Sequence, residues 1–123
     1  VVVWLPNQSL MIAGDVAFHE RMLPIFPNTN TRDWLDTWDN EFEKFNATYV
    51  IPGHGHPTNM DQVRRYTKGY LEHLRGEISQ LLDDGGSLAE AYYVDQSPYL
   101  NLDTFEELAT KNAGRVFEEM EFE

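Results

Sequence analysis

Residues 48–57, Thr-Tyr-Val-Ile-Pro-Gly-His-Gly-His-Pro, constrain the fold more than any other stretch of the chain. Tyr49-Val50-Ile51 is apolar without alternation, the pattern of a strand covered on both faces. Pro52 has no N–H to give to a ladder, so the strand is expected to stop there. Gly53 and Gly55 permit backbone angles closed to other residues, letting the chain turn sharply and present His54. Two of the four histidines in the chain, His54 and His56, thus share one glycine-rich turn. A strand buried on both faces needs partner strands and covering helices, and the flanking residues carry signals for each.

Residues 1–5 form a β-branched and aromatic run, Pro6-Asn7-Gln8-Ser9 is turn chemistry, and Leu10–Ala13 is a second apolar run; together they read as a hairpin. Gly14-Asp15 is expected to end the second strand. Residues 16–30, with Pro24 and Pro27, read as a long irregular loop. From Thr31, the residues Trp34, Leu35, Trp38, Phe42 and Phe45 lie on one helical stripe, with Asp33 in the first turn. That aromatic stripe reads as core rather than as a stacking platform. Asn59 and Gln62 have capping-box spacing, and Val63, Tyr66, Tyr70, Leu71, Leu74, Ile78, Leu81 and Leu82 trace one face of a long helix. Asp84-Gly85-Gly86 stops it. Ser87 with Glu90 opens a short helix, and Asp103 with Glu106 opens a last one whose face is Phe105, Leu108, Ala109, Val116, Phe117 and Met120. The class predicted is α/β, in a single domain's worth of chain over residues 1–123 with no clear interdomain linker.

Composition narrows the function. The chain has 123 residues, 41% of them hydrophobic, with 3 Trp, 6 Tyr and 7 Phe, enough to build a core despite a formal charge of -12. Nine Lys and Arg against 21 Asp and Glu disfavour a nucleic-acid partner or an anionic membrane surface. No apolar run reaches the length of a membrane span. The absence of cysteine excludes disulfides and Cys-ligated zinc. It leaves the compartment open, with a soluble, cytoplasmic setting expected ahead of an exported one.

Two spots carry chemistry, each at the expected end of a strand: Ala13-Gly14-Asp15 and Pro52-Gly53-His54-Gly55. Ligand sites in open α/β sheets lie outside the carboxyl ends of strands, and a carboxylate with an imidazole suits a divalent metal such as zinc. Each residue also has an ordinary reading, Asp15 as a turn or cap residue and His54 as a hydrogen-bonded loop residue. His56 and His19 read as loop residues, and His73 as lying at the edge of a polar helix face. The acidic end, residues 118–123, reads as a solvated face or a fraying tail.

The run VVVWLPNQSLMIAGDVAF, followed by YVIPGHGHP and the tail LDTFEELATKNAGRVFEEMEFE, resembles the C-terminal half of the metallo-β-lactamase superfamily. The resemblance covers almost the whole chain. It implies half of a four-layer αβ/βα sandwich with a two-metal site at the sheet edges. Asp15 matches the carboxylate that bridges the two metals, and His54 matches the last histidine, a ligand of the second metal. His56 and His19 match no ligand. Aspartate at position 15 is similar to the glyoxalase II and general-hydrolase branches, with zinc favoured and iron or manganese also accommodated. The implied activity is hydrolysis of a small-molecule ester, thioester, lactam or sulfate-like centre by a metal-activated water.

The family's His-x-His-x-Asp-His motif and a further histidine are missing from the chain. The simplest expectation is therefore the C-terminal half of a hydrolase, inactive and weakly metal-binding alone, and self-associating where its sheet lacks cover. A non-catalytic acidic interaction module and a pseudo-enzyme with one weak metal site are the alternatives.

Overall fold

The computed structural model describes residues 2–123; Val1, at the start of the first expected strand, lies outside the described residues. The hairpin forms as its pattern predicts. Strand β1 (Val3–Leu5) pairs antiparallel with β2 (Leu10–Phe18), joined by one 3-10 turn over Pro6–Gln8 and by Ser9 in a left-handed conformation. Strand β3 (Tyr49–His54) runs parallel to β2, and the short β4 (Thr58–Asn59) closes the mixed sheet in the order β1-β2-β3-β4.

Two expectations about strand ends are corrected. β2 does not end at Gly14-Asp15 but continues to Phe18, with register shifts on either side of Gly14 against β3. β3 likewise passes through Pro52, which pairs with Gly14 where the ladder is already irregular. A bulge is where a strand tolerates a residue with no N–H to donate. The glycine thus bends the strand without ending it, and Asp15 stands within the bulged part of β2.

Register sorts the sheet into two unlike faces. Trp4, Met11 and Val50 align across three strands, and Met11 and Val50 are fully buried. They pack with Trp38, Phe42, Ala47, Met60 and Val63 into one apolar cluster. The opposite face aligns Val3 with Ile12 and Ile51, and Leu5 with Leu10 and Tyr49. Ile12 is 38% and Tyr49 57% exposed. The continuous apolar run in β3 therefore lies under cover on one face only, and the two-sided burial expected from its composition is not met within this chain.

The helices carry the larger core. Helix α1 (Thr31–Thr37) starts where its pattern predicts, with the Asn30 side chain accepting from the Asp33 N–H. It widens into a π turn (Trp38–Phe42) and then tightens into a 3-10 turn (Glu43–Phe45), so the aromatic stripe is divided. Trp34 packs against the helical core, Trp38 and Phe42 are buried under the sheet, and Phe45 is 39% exposed. Helix α2 (Met60–Val63) is capped by Asn59, and a π turn (Arg64–Lys68) separates it from α3 (Gly69–Asp83). Helix α4 (Leu88–Ala91) has the expected Ser87–Glu90 capping box. Helix α5 (Phe105–Met120) opens on Thr104 in a left-handed conformation with no side-chain cap, rather than on Asp103. The Asp103 backbone is engaged elsewhere, donating to Glu20 C=O at 2.8 Å and accepting from Met22 N–H at 2.9 Å.

Tyr70, Leu71, Leu74 and Ile78 of α3 meet Ala109, Ala113, Val116 and Phe117 of α5, with Phe18, Met22, Leu23 and Ile25 from the end of β2 and the segment after it. Burying a Leu, Ile or Val side chain contributes roughly 1.5–3 kcal/mol, so this layer is the main source of stability. The polar groups inside it are paired. Asn112 accepts from the Ile25 N–H and donates to Leu23 C=O, each at 2.8 Å, and Tyr70 O–H donates to Gln96 at 2.6 Å. Burial pushes the Tyr70 hydroxyl well above the ordinary tyrosine range, although a hydrogen bond from Asn112 opposes it.

Candidate functional site

Gly14 and Gly53 within the paired strands, and Gly55 just beyond β3, let two backbones approach where no side chain would fit. A Cβ on Gly53 would lie 2.6 Å from the Gly14 carbonyl carbon and 2.7 Å from its oxygen, and would also meet the Asp15 carboxylate. Gly55 has φ +101°, and its Cβ would lie 2.7 Å from the His19 carbonyl carbon. Both separations are far below van der Waals contact. Gly14 itself has φ +61°, the conformation that lets β2 bulge.

This close approach brings Asp15 and His54 together. Asp15 Oδ1 and His54 Nε2 are 3.6 Å apart, with the Asp15 side chain 80% exposed and the imidazole 40% exposed. That is too long for a hydrogen bond. It does fit two donors facing one ion, since ligands held about 2.1 Å from a tetrahedral zinc stand about 3.4 Å apart. The imidazole rests on the Phe18 ring, with centroids 5.0 Å apart and planes 16° from parallel. Phe18 is fixed in turn by Thr67, whose hydroxyl accepts from the Phe18 N–H at 2.8 Å and donates to its C=O at 3.0 Å. Thr67 is fully buried and sits on the π turn. The stacking of Phe18 on His54 and the part of Thr67 were not visible in the sequence, because they depend on pairing across 36 and 49 positions.

The other histidines have definite partners or settings. His56 is a loop residue, as its sequence context suggests, with an 86% exposed side chain. It is nevertheless anchored: its N–H donates to Glu20 Oε1 at 2.8 Å, and its Nδ1 lies 2.7 Å from the same oxygen. These bonds, the main-chain one foremost, hold the Glu20 carboxyl below the ordinary glutamate range. His19 packs against the Tyr66 ring at 5.8 Å, and its Nδ1 is buried without a hydrogen-bond partner. His73 Nε2 lies 2.7 Å from Asp95 C=O, far from this group in sequence and on α3.

A cavity of about 330 Å³ adjoins His54 and is lined by Glu20, Arg21, Gly55, His56 and Asp103. Among the described residues, no group of three or more His, Asp or Glu side chains could hold a metal ion. Asp15 and His54 therefore stand as a pair, with no third such side chain grouped with them among the described residues. Among the described residues, no helix is long and apolar enough to cross a membrane. No protein-family model matches the chain, and no curated protein matches it.

Proposed function

We propose that this chain supplies the C-terminal part of a metal-dependent hydrolase of metallo-β-lactamase type, with Asp15 and His54 as metal ligands. The observation that carries this reading is the 3.6 Å separation of Asp15 Oδ1, in the bulged part of β2, and His54 Nε2, at the end of β3. The donor set suits zinc, with iron or manganese as further candidates for a bridging carboxylate. When bound, such an ion supplies Lewis acidity and lowers the pKa of a coordinated water. Asp15 would join two ions and orient the attacking water. His54 would hold the second ion, its ring set by stacking on Phe18. The cavity beside His54 would take part of a small-molecule substrate. A catalytic zinc ordinarily has three protein ligands and an open position, so the remaining donors would come from residues outside this chain.

The uncovered apolar face of Val3, Ile12, Ile51 and Tyr49 supports a corollary, self-association of the chain when it is alone. Light scattering behind a sizing column should give a dimer or larger, and a clean monomer at high concentration would count against it.

The decisive experiment reads the sequence encoded upstream for His-x-His-x-Asp-His. It then joins that segment to this chain and measures kcat/KM with zinc at saturation. Asp15→Asn should lower the rate about a hundredfold or more through lost metal occupancy, and His54→Ala similarly. Activity near wild type in both variants would remove the hydrolase reading.

A further inference from the structure

The turn that carries His54 has an anchor outside the pair of candidate ligands. Glu20, two residues beyond β2, adopts φ +69°, a left-handed conformation unusual for a residue with a side chain. Positions held in that region persist only where surrounding contacts impose them, and they cluster at functional sites. The contacts here are on both sides. Glu20 C=O accepts from the Asp103 N–H at 2.8 Å, while the preceding residue, His19, donates its N–H to His54 C=O at 3.0 Å. The Glu20 carboxylate then reaches over the turn. One oxygen, Oε1, takes the His56 N–H at 2.8 Å and stands 2.7 Å from His56 Nδ1. An ionised carboxylate only accepts, so Nδ1 carries the hydrogen in this contact. A single side chain therefore fixes both the main chain and the ring of His56. Between His54 and His56 stands only Gly55, at φ +101°, which by itself would leave the turn loose.

We propose that Glu20 is a positioning residue for His54: acting through His56, it holds the Gly53–Gly55 turn so that the imidazole stays aligned with Asp15. The assignment takes its functional meaning from the metal-ligand reading of Asp15 and His54. Glu20 is exposed and belongs to neither apolar cluster, so its removal should leave the fold intact and disturb only the turn. Residues that orient metal ligands from one step away alter metal affinity by about 10- to 100-fold when lost. The lower end applies to an exposed contact.

The test compares the chain with its Glu20→Ala, Glu20→Gln and Asp15→Asn variants. Zinc is titrated while the His54 ring and the Gly53, Gly55 and His56 amides are followed by NMR, and melting temperatures are recorded alongside. Glu20→Ala should weaken zinc binding about tenfold and displace the three amide resonances, with the melting temperature within about 2 °C of wild type. Glu20→Gln keeps an oxygen acceptor for the His56 N–H and should recover most of both. Wild-type zinc affinity in Glu20→Ala, alongside weakened binding in Asp15→Asn, would overturn the positioning role. An equal, large fall in melting temperature for both Glu20 variants would also overturn it, by assigning the residue to stability. If Asp15→Asn too binds zinc as wild type does, the metal reading fails on its own account. The amides then decide: displacement in Glu20→Ala sustains the positioning of His54, and unmoved Gly53 and Gly55 resonances reject it.

Discussion

Between α3 and α5, Asn112, Gln96 and Tyr70 are buried, and each has a hydrogen-bond partner. At the ends of β2 and β3 the opposite arrangement holds. An exposed carboxylate and imidazole stand 3.6 Å apart without a hydrogen bond, and the buried His19 Nδ1 nearby is unpartnered. Gly14, Glu20 and Gly55 in this region all have positive φ. Saturated polar contacts inside a large apolar layer stabilise one arrangement. Strained backbone and unsatisfied, outward-facing donors make a region able to accept a ligand, at some cost to its own stability. The two regions meet at Phe18, which is buried in the helical cluster and stacks on His54.

The largest break in that contrast should come from Asn112→Ala. It strips partners from the buried Ile25 N–H and Leu23 C=O, and the expected loss is about 3 kcal/mol in urea unfolding. A loss under about 1 kcal/mol would mean that the helical layer relaxes far more easily than its packing indicates.

Gly53→Ala should cost somewhat less, roughly 2 kcal/mol, because the strand ends can part where the core cannot. Its signature is local. NMR shifts should concentrate on Gly14, Asp15 and His54, with α3 and α5 unmoved. Shifts spread through the helices would show the two regions to be coupled more tightly than the contrast allows.

Acid sharpens the comparison on the sheet side. Burial acts to raise the Glu43 carboxyl, but hydrogen bonds from Arg64 and Trp38 outweigh it and hold the group below the ordinary glutamate range. A carboxyl depressed in the folded state contributes stability that is present above its unfolded value. That stability is lost as pH falls through the lower folded value. The loss therefore begins near pH 4.3, the unfolded glutamate value, and grows below it. Glu43→Gln should flatten that acid limb by up to about 1 kcal/mol in urea titrations between pH 7 and pH 3, since the group is partly solvated. An unchanged limb would place the acid sensitivity in other groups. Glu123 is one candidate, held low by the Arg75 guanidinium.

The smallest effect expected is at Ser87. Ser87→Ala removes a capping box that starts a four-residue helix, for about 0.5–1 kcal/mol, with no change at Asp15 or His54.

Much of the local structure was legible in the residues themselves. The Asn59 and Ser87 caps, the hairpin of β1 and β2, the stop at Asp84-Gly85-Gly86 and the apolar face of α5 all depend on neighbours a few positions away. Short-range chemistry of that kind is written into the chain wherever it occurs. The two glycine motifs were also legible as the places where backbone could bend. Tertiary structure decided the rest. Whether Gly14 ends β2 or bulges it depends on how β2 aligns with β3 some 38 positions later, and parallel pairing carried it on to Phe18. The covering of one sheet face and not the other follows from where the helices return, which no alternation in Tyr49-Val50-Ile51 encodes. The acidic end was expected to be solvated or frayed, yet Glu119 and Glu123 are held by Arg75 at 3.0 and 2.6 Å, across 44 and 48 positions. Glu20 reached His56 in the same way, across 36 positions. In each case the partner was chosen by chain trajectory, and trajectory is a property of the packed whole.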